Sequence, residues 1–135
     1  EYVAESLREP CPYRVIQLGL RYRDRETLYE RINRRVDQMA QAGLAEEVRE
    51  ARENGLTATA AQAIGCKELY GWLDGAETLD AALEKLKQST RRYAKRQLTW
   101  FGADKRIHWI EPDAQEEGET PLDRAMKLLE KEGTA

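Results

Sequence analysis

A chain of 135 residues can bury one core, and a composition that is 41% hydrophobic, 35% charged and 7% aromatic fits a soluble, helix-rich globular chain rather than a disordered one. A formal net charge of -3, with 25 Asp and Glu against 22 Lys and Arg, excludes a wholesale polyanion binder, so only local clusters of cations could meet an anionic partner. No apolar run approaches the roughly 18 residues of a membrane span and no signal-peptide pattern opens the chain, so no membrane partner is expected and the cytoplasm is the default location.

The opening stretch EYVAESLREPCP begins without methionine and runs polar into proline, which reads as the tail of an upstream element and suggests a fragment. Residues 13–22, YRVIQLGLRY, are rich in Val, Ile, Leu and Tyr and predict a mostly buried strand. DRETLYERINRRVDQMAQAG then offers Asp24 as an N-cap, Leu28, Ile32, Val36 and Met39 at helical spacing, and Gly43 as a stop. A shorter helix over residues 44–53 ends at Asn54-Gly55. The Thr/Ala-rich joint TATAAQAIGCKEL leads into a further helix that stops near Asp74-Gly75. Thr78 caps the longest helix, which ends at Gly102; RIHWI (residues 106–110) is a second strand, residues 111–119 an acidic loop, and Thr120-Pro121 opens a last helix. Residues 1–135 are therefore expected to be a single domain, mostly α with two short β-strands. Two short strands cannot easily form an independent sheet, so they either pair with each other against the helices or belong to the edge of a larger one.

The long helix carries TRRYAKRQLTW. At about 100° per residue, Leu79, Leu83, Leu86, Thr90, Tyr93, Ala94, Gln97, Leu98 and Phe101 fall on one arc, and Lys85, Arg91, Arg92, Lys95 and Arg96 on the opposite one. Spacing alone describes a solvated amphipathic helix with its cations toward the C-terminal half, where the helix dipole favours them. Against that, no Asp or Glu occurs between Lys85 and Asp104, so acid partners at i,i+4 are lacking and an anion such as a nucleic-acid backbone would relieve the crowding. Trp100, at the edge of the apolar arc, is read as core, with base stacking as the alternative.

A second cluster, Arg31, Arg34 and Arg35, sits on the first helix; its ordinary reading is surface charge, with Arg34 pairing Glu30 or Asp37. Gly65 precedes a helix, where free N–H groups could approach a phosphate. His108 is the only histidine and has no partners for a triad or metal site. Cys11 and Cys66 lack CxxC spacing, are too few for a disulfide framework, and are read as reduced thiols.

Three stretches in order, LYERINRRVDQMAQAGLAEEV, then QAIGCKEL with WLDG following, then TRRYAKRQLTWF before HWI, resemble the carboxy-terminal part of the bacterial tRNA dimethylallyltransferase (tRNA isopentenyltransferase) family. The resemblance implies the helical carboxy-terminal portion of a P-loop-type α/β enzyme, with Mg²⁺ as cofactor and the tRNA anticodon stem-loop and dimethylallyl diphosphate as partners. Such an enzyme transfers the dimethylallyl group to N6 of the adenine beside the anticodon. Arg35 resembles the family arginine that approaches the donor's diphosphate. Gln62, Ala63, Ile64, Gly65, Cys66 and Lys67 match one tRNA-contacting segment, although the family often has tyrosine where Cys66 stands. Lys95, Arg96, Gln97, Leu98, Thr99, Trp100, Phe101 and Gly102 match a second, with arginine common in the family at the position of Gly102.

The family's phosphate loop, its catalytic aspartate, its inserted domain and its metal ligands lie upstream of the matched stretch. The resemblance thus implies no catalytic residue and no metal ligand in these residues, and no prenyl transfer by this polypeptide alone. It places the two strands in a larger parallel sheet in a full-length monomer; in a fragment they are expected to pair with each other or to drive self-association. The alternative reading is a non-catalytic helical RNA-binding or adaptor module.

Overall fold

The computed structural model describes residues 10–114 and 118–133. Residues 1–9 of the opening stretch and residues 115–117 of the acidic loop lie outside these. In chain order the elements are β1 (Gln17–Leu20), α1 (Arg25–Gln41), α2 (Leu44–Glu53), α3 (Ala58–Ala61), a 3-10 turn (Lys67–Leu69), α4 (Tyr70–Leu73), α5 (Leu79–Gly102), β2 (Ile107–Ile110) and α6 (Pro121–Gly133). This is the mostly helical class with two short strands that the sequence predicts. The chain gathers into two compact units, one of residues 22–103 and the other of the segments on either side.

In the unit of residues 22–103, polar side chains start the helices where expected. Asp24 accepts the Glu26 N–H at α1, Thr57 the Ala60 N–H at α3, and Thr78 the Ala81 N–H at α5. α1 packs on α5 and on α2, while the 3-10 turn and α4 pack on α5. Val48, Leu69 and Ala82 form the buried centre, with Leu44, Cys66, Tyr70, Trp72, Leu73, Leu79 and Leu83 around it; Val36 and Leu86 are buried as well. Burying each Val or Leu contributes about 1.5–3 kcal/mol.

Two expectations change here. The joint expected over residues 57–69 carries short structure of its own, α3 and the 3-10 turn, held apart by Gly65 with its left-handed φ of 101°, and the helix expected after it to stop near Asp74 is the four-residue α4. The apolar arc of α5 also fades toward its C-terminal end, where Tyr93, Gln97 and Phe101 are exposed and only Ala94 and Leu98 stay half-buried. At 1.5 Å per residue α5 is about 36 Å long and α1 about 26 Å, so one helix cannot cover the other along its whole length.

In the other unit β1 and β2 pair in parallel, Gly19 opposite Trp109. A Cβ at Gly19 would stand 2.7 Å from the Trp109 ring, so a side chain there would expel the indole that packs across the strand pair. The Arg21 guanidinium lies 4.9 Å from the centroid of the same ring and its Nε 3.7 Å from Glu111. The strand predicted over residues 13–22 is only Gln17–Leu20, and Leu18 and Leu20, which alternate onto one face of it, are exposed rather than buried.

Ile110 is buried and α6 packs on β2. Thr120 and Asp123 cap α6 reciprocally, each accepting the other's N–H at 3.0 and 3.1 Å, and the Thr120 N–H holds the Asp123 carboxyl below its ordinary pKa. Just before β2, Arg106 clasps Asp104 through its guanidinium and backbone N–H and lowers that carboxyl to about 2. His108 is half-buried with Nε2 4.0 Å from Glu132. Cys11 is an exposed free thiol and Cys66 a half-buried one. Among the described residues no helix is long and apolar enough to cross a membrane.

Candidate functional site

The turn between α3 and α4 is built by its own backbone. Gln62 caps α3, the Ala63 carbonyl accepts the Cys66 and Lys67 N–H groups at 3.1 and 3.4 Å, and Gly65 reverses the chain with its positive φ. The Gly65 N–H is donated to Glu68 Oε2 at 2.9 Å. The expectation of free N–H groups at Gly65 is therefore corrected: the turn consumes them. Glu68 is only 7% exposed, and its Oε1 has no hydrogen-bond partner among the described residues. Its buried carboxyl group braces the turn through one hydrogen bond while its second oxygen stays unmet among the described residues. Cys66 points into the core cluster, leaving Ile64 and Lys67 as the exposed side chains of the turn that face α5.

These two residues form one side of a cleft of about 430 Å³ whose remaining lining, Ser89, Arg92, Lys95 and Arg96, comes from α5. The four cations come together because α5 places Arg92, Lys95 and Arg96 at i, i+3 and i+4, and the 3-10 turn holds Lys67 beside that face. None has an ion-pair partner among the described residues; Arg96 lies 6.0 Å from the Tyr93 ring centroid. Four residues beyond Arg96 on the same face stands Trp100, 78% exposed, so the core reading of Trp100 is corrected. The α5 segment turns Leu98 inward and leaves Gln97, Thr99, Phe101 and Gly102 exposed, with the Thr99 hydroxyl donating to the Lys95 carbonyl at 3.1 Å.

Other cations separate from this group. Arg91 is half-buried and donates to Asn33 Oδ1 at 2.7 Å, so it fastens α5 to α1 instead of joining the basic face. Lys85 pairs with Glu77 and Lys87 with Asp37 at 2.8 Å, partners that come from outside α5. Arg35 is exposed on α1 and does not line the cleft; Arg34 pairs with neither Glu30 nor Asp37. The Arg31 guanidinium lies 5.5 Å from the Tyr22 ring centroid. Ser89 and Glu68 were not singled out from sequence. The i,i+3 spacing of Ser89 and Arg92 was a usable signal for the first, whereas the bond from Gly65 to Glu68 has no signature outside the folded turn.

Chemically, the cleft offers positive charge and hydrogen-bond donors beside an apolar side chain and, one turn along, an aromatic ring. Its lining contains no carboxylate, and among the described residues no three His, Cys, Asp or Glu side chains gather as a metal site requires. The cleft does not fit a divalent cation.

Residues 1–104 match the family model for IPP transferase. The chain is 47% identical over 103 residues to the tRNA dimethylallyltransferase of Halalkalibacterium halodurans, covering 76% of this chain and 32% of that protein. It is 47% identical over 131 residues to that of Desulforamulus reducens, covering 96% and 46%. It superposes on the full-length tRNA isopentenylpyrophosphate transferase from Bacillus halodurans with a TM-score of 0.79 at 38% identity, covering 91% of this chain and 42% of that one. The chain thus spans between about a third and a half of the length of these relatives.

Proposed function

Because the chain belongs to the IPP transferase family, we propose that it supplies part of the RNA-binding surface and one donor-site arginine of a cytoplasmic tRNA dimethylallyltransferase. In this reading the enzyme joins the dimethylallyl carbon of dimethylallyl diphosphate to N6 of the adenine beside the anticodon. The C–O bond to diphosphate breaks and the N6 proton passes to a base outside these residues. The cleft of Ile64, Lys67, Arg92, Lys95 and Arg96 takes the anticodon stem-loop, with Trp100 free to stack on a base. Arg35 meets the leaving diphosphate, where its guanidinium offsets the charge that grows as the bond breaks. Mg²⁺ belongs to the proposal for the full-length enzyme, with ligands from outside these residues.

The observation that carries the reading is the cleft, which joins the two segments resembling tRNA contacts, 62–67 and 95–102, through four cations without acid partners among the described residues. Binding of an anticodon stem-loop RNA to this chain across a series of salt concentrations tests it. A log-log slope of about -0.7 to -0.9 per phosphate contacted is expected, and it should shrink in Lys95→Glu and Arg96→Glu. Absence of binding at low salt, or a slope indifferent to both reversals, sinks the reading.

A further inference from the structure

We infer that Arg92 and Ser89 together hold a non-bridging oxygen pair of an RNA phosphodiester. This assignment rests on the RNA-binding reading and extends it to two residues outside the segments 62–67 and 95–102. The adjacent arginines of α5 have divided roles: Arg91 is spent on Asn33 at 2.7 Å, while Arg92 is exposed, lines the cleft, and has no acid within ion-pair distance among the described residues. The hydroxyls of the same helix divide in the same way. Thr90 donates to the Leu86 carbonyl at 2.7 Å and Thr99 to the Lys95 carbonyl at 3.1 Å, whereas Ser89, half-buried and lining the cleft, has a hydroxyl with no hydrogen-bond partner among the described residues. Ser89 stands three residues before Arg92, so an uncommitted hydroxyl and an uncommitted guanidinium are neighbours on one face.

The kind of ligand follows from the inventory of donors and acceptors. Lys67, Arg92, Lys95 and Arg96 can only donate, and the Ser89 hydroxyl is free to donate with them. A base edge presents donors and acceptors together, and its donors would find no carboxylate or amide oxygen among these side chains. A phosphate only accepts, and its paired oxygens suit an arginine fork with a hydroxyl beside it. The same oxyanion chemistry is found in inorganic pyrophosphate and in the diphosphate of a prenyl donor, so the test has to separate those sources from the RNA backbone.

The experiment follows a labelled anticodon stem-loop RNA by anisotropy, with this chain and its Arg92→Gln, Ser89→Ala and Lys95→Gln variants over a salt series. Arg92→Gln should weaken binding by about tenfold or more and flatten the log-log slope by about 0.7–0.9. Ser89→Ala should weaken binding less and leave the slope unchanged, since it removes a donor and no charge. Replacing single RNA phosphates by methylphosphonates should reveal one position at which Arg92→Gln costs nothing further.

If Lys95→Gln weakens binding while Arg92→Gln changes neither affinity nor slope, the assignment is overturned and the RNA-binding reading stands. If the unaltered chain does not bind the RNA, both fall. Arg92-dependent binding of inorganic pyrophosphate, with RNA binding indifferent to Arg92, also overturns it and gives the residue to a diphosphate. Unchanged thermal midpoints and far-UV spectra of the variants exclude unfolding as the cause of any loss.

Discussion

Lys85 and Lys87, in the N-terminal half of α5, each reach a carboxylate supplied by another part of the chain, Glu77 and Asp37. Arg92, Lys95 and Arg96, in the C-terminal half, reach none among the described residues. The two halves differ in burial as well: Ala82 and Leu86 are sealed in the first, and Tyr93, Trp100 and Phe101 are exposed in the second. One continuous helix therefore serves as scaffold at one end and as an open charged surface at the other. The difference teaches that cation density alone does not mark a site. What marks it is density that the rest of the fold leaves uncompensated, because like charges held together repel until an anion arrives.

The largest expected effect lies in the scaffold half. Leu86 is 1% exposed, and Leu86→Ala should cost about 2–5 kcal/mol of stability, the lost transfer energy plus the cavity left behind. Gln97→Ala, exposed in the other half, should stay within about 0.5 kcal/mol of the parent. Urea unfolding of the two variants checks this, and equal losses would erase the distinction between the halves. Next in size is Trp100→Ala. At 78% exposure the indole adds little to the core, so the unfolding midpoint should hardly move. Affinity for the anticodon stem-loop should nevertheless fall by about 1–3 kcal/mol if a base stacks there. Loss of stability without loss of affinity would return Trp100 to a packing role.

Much of this arrangement was legible beforehand. The bounds of α2, the caps Asp24, Thr78 and Thr120, and the end of α5 at Gly102 follow from residue types with local mechanisms, and the structure has them where expected. The family resemblance likewise rested on contiguous runs of residues. What stayed hidden was long-range. Helical periodicity gives an angle about the axis but not how far a neighbouring helix extends, so Tyr93, Gln97 and Phe101 share the angle of the apolar arc and yet lie beyond its covered part. Arg91 and Arg92 look alike in the sequence, and only Asn33, separated from Arg91 by 58 positions, tells them apart. The fold of the joint was equally out of reach, since a glycine ahead of a helix is as compatible with free N–H groups as with the left-handed turn that Glu68 braces.

The smallest effect concerns the contact that fastens the scaffold half. Lys87 is 14% exposed, and its ammonium lies 2.8 Å from Asp37 and 3.2 Å from Glu84. The hydrogen bond to Asp37 raises its pKa above the ordinary 10.5, in spite of partial desolvation, with Glu84 adding to the rise. A pKa raised in the folded state means that the contribution is fully present below the unfolded value and is lost as pH rises through the folded one. On the alkaline side the pair should therefore hold through neutral pH and fade above about pH 10.5. With the Asp37 side chain 54% exposed, the coupling should be small, about 0.2–1 kcal/mol in a double-mutant cycle of Asp37→Asn and Lys87→Met. Asp37→Asn should also flatten the alkaline limb of the stability curve. Arg92→Gln, lacking any such partner, should leave that limb as it is. An alkaline limb that responded equally to both changes would mean that the two halves of α5 share one electrostatic environment, and the contrast between scaffold and surface would then rest on burial alone.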